Sequence, residues 1–145
     1  MTIATVHAAF QAKLLAVDGI TTAPTRQPAS IQSVDLPMAI TRPGTCNWTQ
    51  GSFGEKQQIR NWEVTVYVQA IYQGQPIEQG YAATLPILEA VGEAFLDDPT
   101  LSDVVDTLQV QEDQMTDSGV RGDLVFGGVA YHGFTMTIPV KERYT

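Results

Sequence analysis

A chain of 145 residues with 43% hydrophobic content suits one domain around one core. No apolar run approaches the roughly 20 residues needed to cross a bilayer, and the single cysteine, Cys46, excludes an internal disulfide. The net charge of −8 is concentrated in one place: residues 76–123 hold eleven acids against Arg121 alone. Such a segment does not attract a phosphate backbone; it reads first as a solvated face, and second as an acidic surface that meets a basic partner or repels nucleic acid.

The opening stretch, MTIATVHAAFQAKLLAVDG, carries Lys13 in its middle and reads as structure rather than as a signal peptide. Ile3, Val6, Phe10, Leu14 and Val17 recur at spacings of three and four, which predicts a helix. Thr2 is its expected N-cap and Asp18-Gly19 its stop. His7, Gln11 and Lys13 fall on the polar side. TTAPTRQPAS, with two prolines and no apolar period, is a connection. A strand is expected near residues 33–41, with Pro37 on an edge or a bulge because proline cannot donate to a ladder.

Residues 42–58 hold three glycines, one proline, Trp48 and Phe53, and form a long loop. Loops of this length in compact domains tend to be functional or disordered. Aromatics set among Gly, Ser and Asn mark binding surfaces, although Trp48 could also fold back on the core. Arg42, Lys56 and Arg60 flank this loop. They make no DNA-binding helix, but they could meet an acidic partner surface.

In NWEVTVYVQAIY every second residue from Trp62 through Val64, Val66, Val68 and Ala70 to Tyr72 is expected on one buried face. Glu63, Thr65, Tyr67 and Gln69 make the other face half wet, as in an antiparallel sheet with one covered side. A second helix is predicted over residues 78–96, with Tyr81, Leu85, Leu88, Val91 and Phe95 as its stripe. Pro86 is the obstacle: inside a helix it costs about 3 kcal/mol, so either the helix kinks or its regular part starts at Thr84. A third strand is expected near Val104 to Glu112. A long last strand follows over residues 122–141, with Gly127-Gly128 as a bulge or bend. These elements predict an α+β fold in order α-β-β-α-β-β, a mainly antiparallel four-stranded sheet with two helices on one face, as a single domain over residues 1–145.

No set of residues announces catalysis. His7, His132 and Cys46 are mutually isolated in sequence, unlike a zinc site or a nucleophilic triad. Asp35 and Glu63 fall on expected strands, but no lysine accompanies them as a metal-dependent nuclease would need. No phosphate-binding glycine motif is present. No catalytic, cofactor or metal residues are therefore assigned, and no cofactor is expected.

The chain resembles the tail terminator and tail completion proteins of long-tailed phages. The likeness rests on four features: a short N-terminal helix closing at Asp18-Gly19, a strand and long loop leading into NWEVTVYVQAIY, the helix TLPILEAVGEAFLDD, and the ending DLVFGGVAYHGFTMTIPVKER. It covers nearly the whole chain as element order and texture, without a diagnostic motif, and head–tail connectors look similar. The resemblance implies a non-enzymatic virion protein, made in the bacterial cytoplasm and placed at the tail–head junction. It implies a ring, usually a hexamer, that caps the tail tube protein, stops its polymerisation and docks the head–tail connector. DNA passes through such a ring without specific binding. On that expectation Arg42, Trp48, Phe53, Lys56 and Arg60 form an assembly loop, and Glu112, Asp113, Asp117 and Asp123 an acidic lining that repels DNA. A small ligand-binding domain or enzyme is the expectation from a different class.

Overall fold

The computed structural model describes residues 2–46, 56–71, 77–105, 107–108 and 115–144. Helix α1 spans Ile3–Leu15, strand β1 Met38–Cys46, β2 Lys56–Ala70, helix α2 Ile77–Asp97, β3 Thr116–Asp117, β4 Arg121–Phe126 and β5 Val129–Tyr144. The fold is α+β, with two helices and an antiparallel sheet of five strands. The strand order is β1-β2-β5-β3, with β4 also paired to β5.

Helix α1 forms where its periodicity places it. The Thr2 side chain accepts from the Thr5 amide as an N-cap, and Gly19 takes a left-handed φ of 97° beyond the C-terminus. Val6, Phe10 and Leu14 are fully buried. They meet Trp62, Val64 and Val66 of β2, Val91 and Phe95 of α2, and Phe134, Ile138 and Val140 of β5 in one core cluster. Both helices therefore cover the same face of the sheet.

The long strand expected over residues 122–141 is two strands. Gly127 and Gly128 have φ of 59° and 82°, and Phe126 pairs with Val129 across them. Two consecutive left-handed residues are the requirement of a type I′ turn, whose twist matches the strands it joins. The glycines thus reverse the chain instead of bending it, so the one expected strand becomes β4 and β5, while the two-residue β3 falls in a stretch expected to be turns. The strand expected near Val104 to Glu112 is not formed by the described residues there. Leu101, Ser102 and Asp103 take left-handed φ of 47°, 56° and 69°, and Thr107 joins Lys141 through an isolated bridge. Residues 106 and 109–114 lie outside the described residues. The first strand starts later than expected, at Met38. Ser33–Asp35 is a short 3-10 turn, and Pro37 precedes the edge strand instead of lying within it.

One face expected in β2 is broken. Tyr67 pairs with Gly133 but Gln69 with His132, so β2 holds one extra residue, a bulge. Beyond it the alternation inverts. Ala70 joins Tyr67, Met38, Ile40, Phe126 and Tyr131 in a second cluster on the opposite face, while Val64, Val66 and Val68 stay under the helices. Tyr72 lies outside the described residues.

Helix α2 runs through Pro86 as one element. Its buried positions are Gly80, Thr84, Ile87, Val91 and Phe95, whereas Tyr81 and Leu85 stand 52% and 44% exposed. The expected stripe therefore holds at Val91 and Phe95 and fails in the first turns. The reason is steric. A Cβ on Gly80 would overlap the ring of His132, so only a residue without one lets the helix lie this close to β5.

Candidate assembly surface

The far end of the sheet, where β1 ends and β2 begins, carries the residues that flank the expected loop. Alternation sends them to opposite faces. Arg42 pairs in register with Glu63, and both are exposed on the face away from the helices. Arg42 also reaches the Tyr67 hydroxyl. Burial pushes the Tyr67 pKa up, and the Arg42 charge and hydrogen bond oppose that rise.

Arg60 lies on the helix-covered face at 8% exposure. Its Nε stands 3.6 Å from Glu142 Oε2, and its Nη1 donates to the Gly44 carbonyl over 3.1 Å. Glu142 is fully buried and accepts from the indole Nε1 of Trp62 over 2.5 Å. His7 stacks over that indole at 6.4 Å. Cys46 lies beside Gln58 at 4.0 Å, and burial pushes its thiol pKa up against the Arg60 charge. This is a charged, hydrogen-bonded plug within the core. It fixes the ends of β1, β2 and β5 relative to one another. Arg42 and Arg60 therefore do not share a surface. The Lys56 backbone pairs with Tyr144, but its side chain, Trp48 and Phe53 lie outside what is described.

The outer edge of β1 is blocked. The Ala39 amide donates to the Thr22 carbonyl over 3.0 Å. The Ala39 carbonyl takes the Gln11 side-chain amide at 3.1 Å, and the Thr41 carbonyl contacts His7 Nε2 at 3.0 Å. Thr41 Oγ1 in turn donates to Gln11 Oε1 over 2.6 Å. Pro43, next along, has no N–H. Gln11, expected on a solvated face, is 2% exposed because it serves this edge. A strand edge closed by helix side chains resists pairing with another chain.

The acidic candidates are placed only in part. Asp117, exposed on β3, accepts from the Gly119 amide over 2.7 Å. Asp123 on β4 forms a two-pronged pair with Arg121 at 2.8 and 2.7 Å. Hydrogen bonding to Arg121 holds its carboxyl below the usual range. Its charge is thus offset within its own strand. Glu112 and Asp113 lie outside the described residues.

Shallow grooves flank α1 among the described residues. One of about 430 Å³ lies between α1 and the turn after α2, lined by Ala9, Ala12, Ala16, Leu101 and Val104. Lys13 and Asp98 at its rim pair with each other at 3.3 Å. Another, about 280 Å³, separates the C-terminal halves of α1 and α2. Among the described residues no three His, Cys, Asp or Glu side chains gather as metal ligands. No described helix is long and apolar enough to cross a membrane.

Comparison of the sequence with protein-family models and with curated proteins found no match.

Proposed function

We propose that this chain is a structural virion subunit that caps a phage tail tube as a ring and presents a docking surface to the head. The single observation that supports this reading most is the long β1–β2 hairpin, whose strand β2 is paired along its length with β5. β2 pairs with β5 from Lys56 opposite Tyr144 to Ala70 opposite Tyr131. The Arg60–Glu142–Trp62 plug makes the far end of this platform rigid. Residues 47–55 connect its two strands, so whatever they meet is met from a fixed base. A subunit that must match a neighbour head to tail needs such a preorganised base, because ordering costs are then small. The edge of β1 is closed, so the contact uses the hairpin end and side-chain surfaces, not strand addition at β1.

Two measurements test this. Particles assembled without the protein should carry overlong, headless tails; normal-length tails lacking heads would assign it instead to the head–tail connector. Replacing residues 47–55 with a short Gly/Ser link, which spares both strands, should keep the fold and abolish ring formation on tail tubes. Intact rings after that change would remove the loop from the reading.

A further inference from the structure

We propose that the flank of α2 bearing Tyr81, Leu85 and Leu88 is a docking seam for a basic amphipathic helix of a protein partner. The helix has two apolar stripes. The inner one, Thr84, Ile87, Val91 and Phe95, is used by the core. The second lies one step round the helix, at spacings of four and three, which is the spacing of a helix–helix seam; Leu88, at its inner edge, also packs partly against the core. Tyr81 and Leu85 on it are 52% and 44% exposed, and Ala82 and Pro86 beside them are also exposed.

The opposite flank is taken: Ala90 and Ala94 line a groove shared with Ala16 and Val17 of α1. The helix layer thus has α1 on one side of α2 and, among the described residues, no helix on the other. The sheet continues under that place. Val125 of β4 pairs with Ala130, which lies on the same face as His132 beneath Gly80, and Val125 is 64% exposed.

Charge selects the occupant. Glu78 and Glu89 are exposed on α2 next to the seam, and residues 61–120 contain no Lys or Arg. Arg121, on the neighbouring strand, is engaged by Asp123. Nucleic acid and anionic lipid are repelled, and the same flank of a second copy would bring glutamates against glutamates. A helix with apolar residues facing the seam and Lys or Arg beside them is complementary in both respects. This inference rests on α2 and the sheet beside it and stands whether or not the chain caps a tail.

The test uses the full chain and a labelled peptide of about three heptads, with Leu at the seam positions and Lys at the flanking ones. Fluorescence anisotropy should show saturable binding that weakens with added salt. The double variant Tyr81→Ser/Leu85→Ser alters exposed positions and should keep its circular dichroism while losing at least about tenfold in affinity. A peptide with Glu in place of Lys should not bind. Equal binding by the double variant, or by the Glu peptide, would overturn the proposal. So would a dimer in sedimentation equilibrium that the double variant abolishes, or vesicle binding that it abolishes.

Discussion

The Trp62 indole donates to Glu142 over 2.5 Å across eighty positions of sequence, inside the core and beside the Arg60 guanidinium. Removing one member of a buried ion pair leaves the other charge uncompensated, at about 3–5 kcal/mol. Glu142→Gln keeps the volume and an acceptor for Trp62 but not the charge. Urea unfolding followed by Trp fluorescence should show a loss of that order. Adding Arg60→Met should recover much of it, because the buried Arg60 charge is then gone as well. An unchanged midpoint for Glu142→Gln would mean that the pair contributes nothing.

The block on β1 predicts a loss of solubility apart from a loss of stability. Gln11→Leu removes the amide that serves the Pro24 and Ala39 carbonyls and the acceptor for Thr41. Leaving buried polar groups unpaired costs about 1–3 kcal/mol. The exposed edge should also raise light scattering on concentration, more than an equally destabilising core variant such as Val91→Ala does. Equal scattering by the two would show that the edge is not what Gln11 guards.

Gly80 and His132 should behave as one unit. Gly80→Ala puts a methyl into the imidazole and should cost about 1–3 kcal/mol as overpacking. In His132→Ala the same substitution should cost much less, a coupling that a double-mutant cycle on urea midpoints measures. Additive losses would show that α2 shifts away instead.

The left-handed turn at Leu101–Asp103 predicts a pH effect. Asp98 accepts from the Ser102 amide over 3.0 Å, and that bond, helped by Lys13, holds its carboxyl below the ordinary 3.8. A carboxyl depressed in the folded state stabilises fully above its unfolded value. That contribution is lost as pH falls through the lower folded value. Stability should therefore fall below about pH 4, and Asp98→Asn should flatten that part of the curve in thermal melts. An acid limb as steep in Asp98→Asn as in the parent would place the titration elsewhere. Asp103→Gly, which relieves a left-handed residue, should be neutral or stabilising by up to about 1 kcal/mol.

Much of the architecture was legible in the residues. Helix α1 with its cap and stop, the long strand β2 and the extent of α2 follow from periodicity and capping, which are local properties of neighbouring side chains. One strand was misread, and a second is not formed by the residues described there, for a related reason. Gly127-Gly128 permits either a bend or a reversal, and only pairing with β5 selects the reversal. Val104, Asp106, Leu108 and Val110 alternate like a strand, yet just before them the Asp98 cap and the burial of Leu101 hold Leu101–Asp103 in a left-handed turn. Of the expected assembly residues, Arg42 and Arg60 straddle the loop as read, but strand alternation around a bulge sent one to solvent and the other into the core.

What the amino acids determined by themselves is where the chain is periodic, where it turns and where its charge collects. What only the tertiary structure decided is which of two apolar stripes on α2 went inward, why Gln11 is buried, and on which face Ala70 lies. Hydrophobicity along a segment reports how much surface wants cover. Which surface gets it depends on the steric room and the unpaired carbonyls that distant segments bring to it.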